Sequence, residues 1–168
     1  MIALFALLSL MMTGRCICES HIQMIRSKLF GDRLFYVRHS RGIALDEVAK
    51  ATGISRYRLE QYEINANEPG FDALVAIALY LDTSADYLCG HRPSPVRLGV
   101  KSWSDEFGPR LRAARAKACL TQPRLAEIAG SDRVRIGLLE RGLTLPSMPT
   151  LRRLSISLGV PIDYLCGF

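Results

Sequence analysis

The chain repeats itself. Residues 30–34 read FGDRL and residues 107–111 read FGPRL, while residues 86–90 and 163–167 both read DYLCG. Each pair stands 77 residues apart, and laying 30–90 on 107–167 without a gap gives 18 identities in 61 positions. Self-similarity at a fixed offset means two copies of one small unit under the same packing constraints. The chain divides accordingly into an extension at 1–29, copy one at 30–90, a linker at 91–106 and copy two at 107–168. The linker holds two prolines, a glycine and three serines and shows no helical period. A length of 168 residues suits two such small domains.

Each copy reads as helical. Phe30, Leu34 and Val37 recur at i, i+4, i+7, as do Phe107, Leu111 and Ala114, and no stretch keeps the period of a strand for long. Leu74, Ile77, Ala78 and Leu81 form a later stripe, matched by Leu151, Leu154, Ser155 and Leu158. Between the stripes lies a more specific pattern. Ala49 and Ala126 are small enough for two helices to cross closely. Gly53 and Gly130 follow a short helix and can turn the chain sharply through positive φ. Ser55 and Asp132 can cap the next helix, whose inward face is carried by Leu59 and Tyr62, or Ile136 and Leu139. Small residue, glycine, cap and apolar anchor at this spacing describe a helix-turn-helix.

On these residues both copies resemble the phage-repressor type of domain, the Cro/repressor (XRE) family. Glu63 and Glu140, Pro69 and Pro146 and the closing DYLCG stand where that family has Glu, Pro and its D-Y/W-L-x-G ending. The resemblance covers 30–90 and 107–168. It implies an all-α chain of two tandem five-helix, lambda-repressor-like domains. The helices are expected at 30–41, 45–52, 56–63, 71–81 and 84–89, with 77 added for copy two. It also implies a buried ion pair joining the first helix to the third, Arg38 with Glu63 and Arg115 with Glu140. The implied partner is double-stranded DNA, with the second helix of the motif in the major groove.

Carried over position by position, the DNA-facing residues of copy one are Ser55, Arg56, Tyr57, Glu60 and Gln61. Arg56 suits guanine, Gln61 adenine and Glu60 cytosine, and Tyr57 offers a ring to a thymine methyl. Leu45 departs from the family, which has a phosphate-holding Gln there; copy two keeps that residue as Gln122. In copy two the groove-facing positions are Asp132, Arg133, Val134, Gly137 and Leu138, with Arg141 beyond. They offer few hydrogen bonds to bases. Charge divides the other way. Copy one is net −3 and copy two +6, equal to the charge of the whole chain. Arg110, Arg112, Arg124, Arg133, Arg141, Arg152 and Arg153 are the cations available for phosphate. Copy one is expected to specify the sequence and copy two to anchor, because base contacts specify and phosphate contacts position.

Composition excludes other classes. Hydrophobic residues make up 49% and charged residues 23%, which is globular. The apolar run Met1–Met12 is too short to span a bilayer, so no membrane association is expected. No basic residue precedes that run, and either translation is expected to start at Met24 or the segment is expected as a frayed extension. Five cysteines without a CxxC pair and three scattered histidines suggest a reduced, cytoplasmic protein without metal or cofactor. Cys89 and Cys166 are expected as small buried hydrophobes, Cys119 as inert, and His39 and His91 as solvated. Trp103 is expected to pack on copy two. No nucleophile–base set or phosphate loop suggests an enzyme. The leading reading is a sequence-specific transcriptional regulator acting as a repressor. Its alternative is an antitoxin or interaction module whose degenerate second domain holds a protein partner. Homodimerisation is open.

Overall fold

A computed structural model gives the structure of residues 29–99 and 106–168. The expectations for Met24 and Trp103 fall outside these residues. Copy one consists of α1 (Phe30–Ser40), α2 (Leu45–Thr52), α3 (Arg56–Glu63), α4 (Phe71–Tyr80) and α5 (Ala85–Leu88). Copy two repeats the order with α6 (Phe107–Lys117), α7 (Gln122–Ile128), α8 (Arg133–Glu140), α9 (Met148–Leu158) and α10 (Ile162–Cys166). All regular elements among the described residues are helices, and the ends fall within a residue or so of the positions expected from the sequence.

The apolar stripes form the core. Leu34, Leu59, Leu74 and Ile77 are fully buried in copy one, as are Leu111, Ile136, Leu151 and Leu154 in copy two. The chain reverses into α3 and α8 through Gly53 (φ 70°) and Gly130 (φ 58°). Ser55 Oγ then accepts from the Arg58 amide at 3.4 Å, and Asp132 Oδ1 from the Arg135 amide at 2.7 Å. These caps satisfy donors that a helix start leaves open.

The repeated FG has a steric cause. Gly31 and Gly108 open the first helix of each copy where it meets the carboxyl end of the third. A Cβ on Gly108 would lie 2.6 Å from the Glu140 carbonyl oxygen, and one on Gly31 would meet the Tyr62 and Glu63 carbonyls. Backbone atoms cannot swing aside as a flexible side chain can. Gly108→Ala is therefore expected to destabilise the protein by about 1–3 kcal/mol in spite of alanine's better helix propensity, as read by a denaturant titration. An unchanged midpoint would show that the helices can separate freely.

The ion pairs tie the same helices together. Arg38 Nε and Nη2 donate to the Glu63 carboxylate at 2.6 and 3.0 Å, and Arg38 Nη1 to the Ile43 carbonyl. Arg115 repeats the fork on Glu140 at 2.5 and 3.2 Å and donates to the Leu120 carbonyl. The Glu140 side chain is 1% exposed, against 11% for Glu63.

Cys119 lies exposed at the turn after α6, with φ of 55°. Two details depart from the sequence expectations. His91 is not simply solvated, because its Nδ1 lies 3.7 Å from Asp86 Oδ1, and burial lowers its pKa against the pull of that carboxylate. Residues 91–99 run along copy one: Val96 accepts from the Ser84 amide, and the Gly99 amide donates to Asp82 Oδ1. Cys89 and Cys166 are buried. Burial pushes the Cys89 thiol up to about 12, which keeps it protonated and unreactive.

The two copies touch. Helices α5 and α10 pack on each other, the backbones at Gly70 and Ser147 pair antiparallel, and Phe71 meets Phe107 edge-on with centroids 5.1 Å apart. Arg152 Nη1 reaches Glu68 across the joint at 2.7 Å. Arg152 was expected to be available for phosphate, but this ion pair holds it between the copies. The Arg110 guanidinium lies beside Gly167 at the end of α10. Its counterpart Arg33 is buried and donates to the Tyr87 and Arg92 carbonyls.

Candidate nucleic-acid interface

In α3, burial of Leu59 and Tyr62 turns the opposite face outward. That face begins with Ser55, Arg56 and Tyr57, all exposed, and continues through the half-buried Glu60 and Gln61. The Tyr57 residue is 68% exposed, although an aromatic ring gains by burial. Arg56 does not point freely into solvent. Its Nη1 donates to Asp46 Oδ2 at 2.6 Å and its Nε to Glu60 Oε1 at 2.9 Å. These two hydrogen bonds stabilise the charged guanidinium and raise its pKa. Arg56 and Glu60, named separately as base readers, thus begin as partners of one another. Asp46, the second residue of α2, is the neighbour that the sequence reading left unnamed. Its signal was available: the pattern places a carboxylate in the first turn of the helix that precedes the glycine turn.

In α8, Ile136 and Leu139 are buried, and Arg133, Val134 and Arg135 stand exposed. Neither Arg133 nor Arg135 has a carboxylate partner among the described residues. Gly137 presents only backbone, and a Cβ there would meet nothing nearer than Gln122 Oε1 at 4.0 Å. The missing side chain leaves a cleft of about 450 Å³ lined by Arg112, Gln122, Arg133, Val134, Gly137 and Arg141. Leu138 is half-buried beside it. Arg141 donates to the Gly137 carbonyl at 3.1 Å, and Gln122 Nε2 to Glu140 Oε2 at 2.8 Å. Leu45, at the position of Gln122, instead packs against the core of copy one.

The two surfaces are thus built on one frame but carry different chemistry. Copy one offers hydrogen-bonding side chains under acidic neighbours. Copy two offers arginines around a shallow apolar floor. A helix-turn-helix family model matches the chain twice, at residues 34–88 and 111–165. Together these matches cover most of the chain. The chain belongs to the XRE-type helix-turn-helix family. No curated protein and no solved structure matches it significantly. Members of this family are DNA-binding regulators without enzymatic activity. The XRE-type frame makes α3 and α8 the second helices of their motifs. No helix among the described residues is long and apolar enough to cross a membrane.

Proposed function

We propose that this chain is a sequence-specific, double-stranded-DNA-binding transcriptional repressor, with copy one selecting the sequence and copy two anchoring it to the duplex. The observation that carries the reading is the exposed amino-terminal face of α3, where Ser55, Arg56, Tyr57, Glu60 and Gln61 offer both donors and acceptors. A helix of this frame presents such residues to base edges in the major groove. In copy two, Arg112, Arg133 and Arg141 border one cleft and suit phosphate, with Gln122 beside them and Val134 and Leu138 supplying apolar contact. Repression would follow from occupancy of an operator.

Arg133→Ala tests the anchor. Loss of one phosphate contact is expected to weaken binding to every duplex alike and to reduce the salt slope by about one unit. Titrations of two unrelated duplexes at several salt concentrations read both effects. A changed sequence preference with an unchanged slope would contradict the assignment.

A second reading has one observation in its favour. Val134, Leu143 and Ile156 of copy two are 69%, 64% and 72% exposed, which suits a protein partner held by that domain, as in an antitoxin. On that reading Arg133→Ala leaves DNA binding unaltered.

A further inference from the structure

The joint between the copies brings equivalent positions together. Gly70 pairs with Ser147, its own counterpart 77 residues on. Helix α5 packs on its counterpart α10. Asp86 and Asp163, also counterparts, exchange hydrogen bonds. Asp163 Oδ1 accepts from the Ala85 and Asp86 amides at 2.7 and 3.2 Å, and its Oδ2 from Ser84 Oγ at 2.6 Å. Asp86 returns the arrangement, accepting from the Ile162 and Asp163 amides at 2.9 and 3.1 Å. Each aspartate thus caps the other copy's last helix.

Such self-matching contacts have a geometric meaning. Units related by translation bring position i of one against a different position j of the other. Only a two-fold rotation sets each position against itself, as in the isologous interface of a symmetric dimer. The two copies are therefore related by a pseudo-two-fold axis running between Gly70 and Ser147 and between the two aspartates. α3 and α8 obey the same rotation. A duplex has two-folds perpendicular to its own axis, so readers related by a two-fold match half-sites that are inverted.

The copies are equivalent in frame but not in surface. Arg56, Tyr57, Glu60 and Gln61 on one helix correspond to Arg133, Val134, Gly137 and Leu138 on the other. We propose that a single chain acts as its own dimer, and that its operator is an inverted pair of unlike half-sites held in register by the Asp86–Asp163 cross-caps. This rests on the DNA-binding reading above and adds the orientation, inequality and stoichiometry of the site. Because the joint is occupied within the chain, a second chain finds no free copy of it.

Two experiments on the full chain test this. Selection from a random duplex pool is expected to enrich two different half-sites, head to head, with centres about 10 bp or a multiple apart. Light scattering of the complex is expected to give one chain per duplex. A direct repeat, or a symmetric palindrome of identical half-sites bound by two chains, would overturn the proposal. Absence of any enriched sequence would count against the DNA reading instead. The joint is then judged without DNA, by amide exchange at Ala85, Asp86, Ile162 and Asp163. Slow exchange that rises at least tenfold at the Ile162 amide in Asp163→Ala supports the joint, because Asp86 still accepts from Ile162 unless the copies part. Fast exchange in the unaltered chain overturns it. Asp163→Asn, which keeps one acceptor oxygen, serves where the alanine variant does not fold.

Discussion

Replacing Arg115 by alanine lowers the stability of copy two by about 3–5 kcal/mol, the cost of breaking a buried ion pair from one side. The mutation removes two donors from a carboxylate that is 1% exposed and a third from the Leu120 carbonyl. Gln122 remains on Glu140, and Arg112 stands 3.8 Å away, so neither replaces the lost fork. Arg112→Ala is the control. Its side chain is 61% exposed, and an exposed pair contributes about 0–1 kcal/mol. Urea titrations of both variants read the difference. A loss below that of the control would show that the Glu140 carboxylate is solvated.

The same pair sets an acid limit. Burial alone would push the Glu140 carboxyl up, but hydrogen bonds from Arg115 and Gln122 and the charges of Arg115 and Arg112 hold it below its ordinary value. A carboxyl whose folded pKa is depressed contributes stability above its unfolded pKa, about 4.3 for glutamate. That contribution is lost as pH falls through the lower folded value. Stability is therefore expected to decline with acid below about pH 4.3, and Glu140→Gln to remove part of the decline. Equal acid dependence in the two proteins would contradict a depressed Glu140.

The second large effect lies on DNA. Arg56→Ala is expected to cut discrimination at one base pair about tenfold or more, leaving other positions read as before. Its partners sharpen the expectation. In the free protein Asp46 and Glu60 hold the guanidinium, so on the proposed reading a base competes with both for it. Asp46→Asn weakens one competitor, leaving a neutral acceptor, and removes one charge repelled by phosphate. It should therefore tighten binding severalfold while preserving the preferred sequence, as competition titrations with single-base variants of the selected duplex would show. Unchanged preference in Arg56→Ala would remove Arg56 from the reading set.

The sequence was legible wherever one residue had one physical job. Gly53 and Gly130 needed positive φ, Ser55 and Asp132 needed to cap, and Leu59 and Ile136 needed to be buried; each does so. Arg38 and Arg115 persisted with Glu63 and Glu140 because each pair joins helices that the repeat preserves. Gly31 and Gly108 were visible as repeats, but their cause lies in carbonyls about 30 residues away, which no local pattern reveals. The tie from Arg56 to Asp46 likewise crosses the turn. Asp86 and Asp163 were read only as motif letters. Their exchange needs both copies in three dimensions, and Arg152 with Glu68 belongs to the same joint.

The most direct test of the central claim compares two duplexes of equal length and charge, the selected site and its scrambled permutation, at near-physiological salt. The account predicts that the full chain prefers the selected site by about a thousandfold or more. Equal affinity for the two, vanishing as salt rises, would mean that the arginines of copy two hold phosphate while α3 reads nothing.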